Sequence, residues 1–134
     1  MKKCPLCNGK VIKKNILTPY TYKNATITIN QPQDYCEACR EGFLSHEDIQ
    51  ATKRELADFK RKQDGLLSSD EIRSIRKKAG LTQEKAAEIF GGGVRAFHKY
   101  ETGEVIQSKP LDIVLKLLKQ GIVDLNKIEN VARA

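Results

Sequence analysis

No apolar stretch in this sequence approaches the ~18 to 20 residues that a membrane-spanning helix requires. The opening Met1-Lys2-Lys3-Cys4-Pro5 has the charge of a secretory leader but no apolar segment behind it. Both absences point to a cytoplasmic chain with no membrane partner. Internal repeats, low-complexity tracts and a basic tail are also missing. Lysine and arginine nevertheless outnumber the acids by 24 to 17, a net charge of +7 over 134 residues. An excess spread this evenly excludes a disordered basic arm. It favours a polyanionic partner, most often nucleic acid, although solubility alone would also account for it.

The cysteines are few and placed close together. Cys4-Pro5-Leu6-Cys7 and Cys36-Glu37-Ala38-Cys39 are two C-x-x-C pairs. A two-residue gap lets one tight turn present two sulfurs at tetrahedral angles, and zinc favours four thiolates in that arrangement. Turn-forming residues follow each pair, Asn8-Gly9 and Arg40-Glu41-Gly42, so that backbone amides can reach sulfur. The separation between the pairs exceeds the usual zinc-ribbon spacing, and strands folding out and back account for the excess. A redox dithiol would need one pair at the start of a helix in a βαβ setting, which neither has. Disulfides are disfavoured in a reducing compartment. The expected cofactor is one structural Zn2+ held by Cys4, Cys7, Cys36 and Cys39. His46 lies nearby but is read as an exposed first-turn residue, because coordination is already complete. A closed site leaves no position for water. With no acid/base pair and no nucleotide-binding glycine motif, the chain does not read as an enzyme such as an oxidoreductase or nuclease.

Two textures divide the chain. "VIKKNI", "TPYTYKN" and "ATITIN" read as short strands, with a tight turn at Asn24. From Ser45 the pattern becomes helical, with Glu47 and Asp48 in a first turn and Ile49, Leu56 and Phe59 as a narrow apolar stripe; this helix is assigned to the cysteine half. Asp64-Gly65 and two serines then break it. Ser68 and Glu71 form a capping box before Ile72, Ile75 and Ala79. Thr82 caps a helix with Ala86, Ile89 and Phe90 facing inward. Ser108 or Lys109 opens another, with Pro110 in its first turn and Leu111, Val114, Leu115 and Leu118 on one face. Asp124 caps a last helix aligning Leu125, Ile128 and Val131. The expected fold is an α+β N-terminal zinc-binding domain, a short antiparallel sheet plus a helix, joined to an all-α domain of about five helices. The boundaries are 1–62, a linker at 63–68, and 69–134.

Between the second and third of these later helices stands "FGGGVRAFHKYETGE". The third helix is read as Val94 to Glu101, with Gly91 as a left-handed stop and Gly93 as its N-cap. Free amides at its start can accept a phosphate. Phe97 and Tyr100 point into the core, leaving Val94, Arg95, His98 and Lys99 on the opposite face. A short helix of this kind suits a DNA groove: arginine can grip guanine with two hydrogen bonds, and a valine methyl can rest on thymine. Lys99 and His98 are better placed for phosphates. A helical bundle with a charged outer surface is the alternative.

Leu81-Thr82-Gln83, Ala87, Gly91 and Glu101-Thr102-Gly103 are similar in place and type to the helix-turn-helix of Xre/Cro-like regulators, over about residues 68–120. That resemblance implies that Gln83 touches the DNA backbone. The two C-x-x-C turns followed by "IFGGGVRAFHKYE" resemble the MqsA/YgiT family of type II antitoxins across nearly the whole chain. The likeness implies a zinc domain that binds a cognate toxin. It also implies a C-terminal domain that dimerises, binds palindromic double-stranded promoter DNA and represses its own operon. DNA-contacting residues would be Gln83, Gly93, Val94, Arg95, His98 and Lys99. Members of the family often carry asparagine and arginine where Arg95 and Lys99 stand, so the operator sequence here would differ. A zinc-containing helix-turn-helix regulator with no toxin partner is the alternative reading.

Overall fold

A computed structural model describes residues 3–134; Met1 and Lys2, part of the leader-like start, lie outside the described residues. The order is a three-stranded antiparallel sheet followed by six helices. This is the expected α+β module and helical module. Among the described residues no helix is long and apolar enough to cross a membrane.

The strands differ from expectation in one respect. The first two predicted strands are a single strand, β1 (Val11–Tyr22), which pairs along its whole length with β2 (Ala25–Cys36). Pro19 does not interrupt it, because β1 is an edge strand and an outward-facing position needs no N–H. The hairpin closes between Tyr22 and Ala25, with Lys23 in a left-handed conformation beside Asn24. The two-residue β3 (Gly42–Phe43) completes the sheet against Asp34 and Tyr35.

Helix α1 (His46–Gln63) begins as read. The Asp48 amide donates to Ser45 Oγ, and the Ser45 amide donates back to Asp48 Oδ2. Its buried face, however, is polar rather than apolar. Ile49 is exposed, whereas Asp48, Thr52 and Arg61 are buried with Ala57. Asp48 binds the Lys13 ammonium, and Thr52 donates to Gln31 of β2.

Packing divides the chain into Met1–Lys53 and Arg54–Ala134, a division that falls within α1. The reason is visible in the second half of α1, whose polar side chains are committed to the helical unit. Asp58 accepts from both the amide and the hydroxyl of Ser69. Arg61 binds Gln107 and the carbonyls of Tyr100 and Val105. Residues 63–68 are anchored too: Leu67 is buried, and its amide donates to Asp112 Oδ1.

The helical unit continues with α2 (Ser69–Lys78), α3 (Gln83–Phe90), α4 (Ala96–Thr102), α5 (Lys109–Lys119) and α6 (Leu125–Arg133). Ser68, Thr82, Ser108 and Asp124 each cap as expected, Ser68 and Glu71 reciprocally. One core gathers Ile72 and Ile75 from α2, Ala86 and Ala87 from α3, Phe97 from α4 and Leu115 from α5. Phe97 has no exposed surface and stacks edge-on with Tyr100; burying it contributes on the order of 2–3 kcal/mol. Helix α6 has no buried residue, so Val131, expected to align with a core face, is 77% exposed.

Two carboxylates in this unit make its stability pH-dependent. Burial pushes Asp112 up, but Lys116, the Leu67 amide and Gln107 outweigh it and leave the group below its ordinary 3.8. At Asp58 burial likewise raises, and Ser69 and Arg61 win in the lowering direction. A depressed carboxylate stabilises fully above its unfolded value and stops doing so as pH falls through the folded one. Thermal melts should therefore be flat from neutrality to about pH 5 and drop steeply below about pH 4.

Candidate functional site

The four cysteines come together through two near-identical turns. The Asn8 amide donates to the Cys4 carbonyl and the Cys4 amide to the Gly9 carbonyl, both at 2.9 Å. At the other pair Arg40 donates to Cys36 at 2.8 Å and Cys36 to Glu41 at 2.9 Å. Asn8 and Arg40 both take left-handed backbone (φ 61° and 64°), which reverses each chain just after its second cysteine. Backbone amides then turn toward sulfur, Leu6 to Cys4 Sγ and Cys39 to Cys36 Sγ.

All four sulfurs lie within 4.8 Å of one another, with Cys4–Cys39 at 3.7 Å and Cys7–Cys36 at 3.4 Å. These separations are far too long for disulfides, and all four cysteines are free. They suit a tetrahedron instead, whose edges are ~3.8 Å when metal–sulfur bonds are ~2.3 Å. Gly9 is required by this closeness. A methyl group there would stand 2.9 Å from Ala38 Cβ, 3.1 Å from Cys7 Sγ and 3.3 Å from Cys36 Sγ.

The electrostatics also call for a cation. The Cys39 amide pulls Cys36 down against the cost of its burial, to about 7. At Cys39 the Glu41 amide pulls down, but desolvation and the thiols of Cys36, Cys4 and Cys7 push harder, to about 12. Four thiols this close cannot all ionise unaided, and a metal ion removes that penalty. His46 is exposed at the first residue of α1 and is not part of the cluster.

The second feature is the turn between α3 and α4. Gly91, Gly92 and Gly93 all have positive φ, 85°, 96° and 94°, which side-chain-bearing residues rarely adopt. Gly92 is doubly constrained, since a Cβ there would meet Ala96 Cβ at 3.0 Å and Tyr100 Oη at 3.1 Å. The sequence alone gave no role to this middle glycine. Gly93 is not the N-cap: α4 starts two residues later than expected, with Arg95 at the cap position and the Gly93 carbonyl accepting from Ala96. Gly91 is not the left-handed stop expected, since its ψ of −172° makes it an extended positive-φ residue, and Val94 and Arg95 form a turn before the helix begins.

The turn therefore carries Val94, 71% exposed, and Arg95 outward, while Ala96 and Phe97 are buried behind them. His98 and Lys99 are half-buried on the helix proper. Gln83 stands apart from this group. It opens α3, at the far end from the glycines, and lines a recess with Glu101 and Thr102 near the exit of α4. Glu101, noted in the sequence only as part of an exit motif, is buried and grips Arg76 through both oxygens at 2.8 and 2.9 Å. Arg76 also donates to the Leu81 carbonyl, so one guanidinium ties α2, the start of α3 and the end of α4 together.

The two sites describe a bipartite chain, with a four-thiol cluster that could hold a metal ion and a helical unit that displays an exposed turn bearing Arg95. The model of the MqsA family, the antitoxin component of bacterial toxin–antitoxin systems, matches residues 1–128. Antitoxin MqsA of Escherichia coli strain K12 is 33% identical over 120 residues, covering 87% of this chain and 89% of that protein. The chain belongs to the MqsA antitoxin family.

Proposed function

We propose that this antitoxin binds and neutralises a cognate toxin through its cysteine-containing half, residues 1–62, and represses its own operon through residues 69–134. The observation that carries the DNA-binding part is the glycine turn, which projects Val94 and Arg95 from a helix pinned by Phe97. In this reading α3 and α4 are a helix-turn-helix. Arg95 and Val94 read base edges, His98 and Lys99 meet phosphates, Gly93 allows close backbone approach, and Gln83 contacts the flanking backbone.

We take the metal to be one Zn2+, which Cys4, Cys7, Cys36 and Cys39 would hold; the all-thiolate donor set and the close spacing of the sulfurs support that reading. Held there, such an ion would neutralise the four thiolates and tie the two turns together, and four protein ligands would leave it a structural role. Homodimerisation through the helical unit is supported by the apolar surface at its C-terminal end, where Ile122 is 60% exposed and Val131 77%. A two-fold dimer would read half-sites centred ~34 Å apart.

The test is an electrophoretic shift with the DNA upstream of its own gene, paired with co-expression of the adjacent toxin-sized gene. Retardation of that DNA over unrelated duplex and relief of growth arrest are both expected. Retardation without relief would leave a DNA-binding regulator with no toxin partner. Arg95→Ala should cost ~1–3 kcal/mol and relax discrimination at a single base pair. An equal loss on every sequence would instead assign Arg95 to the backbone.

A further inference from the structure

Outside the glycine turn, the helical unit has a second cationic feature. A recess of about 250 Å³ is lined by Arg54, Ser69, Asp70, Arg73, Arg76, Gln83, Glu101 and Thr102. Two of its three guanidiniums are committed. Arg76 is held by Glu101, and Arg54 by Asp70 and the Ser69 hydroxyl. Arg73 is exposed on α2, and no hydrogen bond or ion pair within the described residues engages it. Three guanidiniums against two carboxylates leave one positive charge, and Gln83 adds an uncommitted amide on the same wall.

We propose that this recess seats one phosphate of the DNA backbone, with Arg73 as its principal donor and Asp70 limiting its charge. The inference rests on the DNA-binding reading above and adds a contact from α2. A planar guanidinium with its donors free is the side chain best matched to a phosphate. Placement agrees: the eight residues of α3 separate Gln83 from the glycine turn, about 12 Å at 1.5 Å per residue. The major groove is ~12 Å wide, so a recess this far from an inserted turn can reach the phosphates along its edge when α3 lies across the groove. Asp70 pairs with Arg54 in the wall of the recess and offsets its charge, which predicts opposite effects for the two variants below.

The experiment measures binding by fluorescence anisotropy over a salt titration, on the upstream duplex and on an unrelated one. Arg73→Gln should weaken both equally, about three- to tenfold, and lower the slope of log affinity against log salt by ~0.9 for each protomer bound. Its thermal melt should match the parent, since Arg73 supports no fold contact. Asp70→Asn releases Arg54 and should tighten both complexes and steepen the slope. Unchanged affinity and slope in Arg73→Gln would overturn the recess while leaving the wild-type shift, and so the DNA-binding reading, intact. A loss confined to the upstream duplex would make Arg73 a base reader, and an Asp70→Asn protein as weak as Arg73→Gln would show that disturbance rather than charge sets affinity; either overturns the proposal. If Arg73→Gln abolishes only the response of the Gln83 side-chain NMR signal to inorganic phosphate, the ligand is free phosphate and the duplex assignment fails. Wild-type protein that binds neither duplex removes both readings together.

Discussion

Chelation of the metal at neutral pH is expected to unfold the β unit and leave α2 to α6 folded. The asymmetry follows from where apolar burial lies. In the β unit the buried apolar cluster is Cys4, Val11 and Cys36, with Phe43 packed against it, so two of its three buried members belong to the four-cysteine cluster. Strand pairing adds little by itself, because a two-stranded ribbon is marginal in water. A structural tetrathiolate site contributes on the order of 10 kcal/mol, comparable to the whole stability of a small domain. The helical unit instead has a core of eight buried residues containing no cysteine. Cys36→Ser, which removes a fully buried ligand, should reproduce the effect of chelator. NMR amide dispersion from β1 and β2 should collapse while the α-helical circular dichroism largely remains, with released metal counted in parallel. Intact strand signals in metal-free protein would show that the hairpin folds without its cross-link.

How much of this was legible in the sequence depended on how local each cause is. The caps at Ser68, Thr82, Ser108 and Asp124 act within one turn, and all four were readable. The cysteine cluster was readable because each pair is local and four thiols are enough for one tetrahedral site. The start of α4 was misplaced, since glycine type alone does not say that three residues in a row take positive φ. The division of α1 was harder still. Arg61 and Asp112 are charged, so they read as solvated surface, yet both are buried by partners 46 and 45 residues distant along the chain. Neither periodicity nor spacing reports on such pairs. Gln107 was overlooked for the same reason, although it joins Arg61, Asp112 and the Leu67 carbonyl in one network.

That network yields the largest expected effect of a single substitution in the helical unit. Arg61 has no exposed side-chain surface, and its guanidinium makes four hydrogen bonds: to Gln107 at 2.9 Å, Asp58 at 2.9 Å, and the carbonyls of Tyr100 and Val105 at 2.8 and 3.1 Å. Arg61→Ala leaves those acceptors in a site built around a cation, at a cost of about 3–5 kcal/mol. In a unit of this size that lowers the melting temperature by well over ~10 °C. Arg61→Lys keeps the charge but cannot fork to Gln107 and two carbonyls at once, so it should fall between the parent and alanine. Arg54→Ala is the control: that arginine is half-exposed and its ion pair with Asp70 is solvated, so about 1 kcal/mol or less is expected. Tyr100 and Val105 flank the exit of α4, so the loss also loosens the support behind Val94 and Arg95. Binding of the upstream duplex should fall in Arg61→Lys before its fold does, measured well below its melting point. Melts of Arg61→Ala within ~0.5 kcal/mol of the parent would mean that the interior re-satisfies these carbonyls without the arginine, and that α1 is not what holds α4 in place.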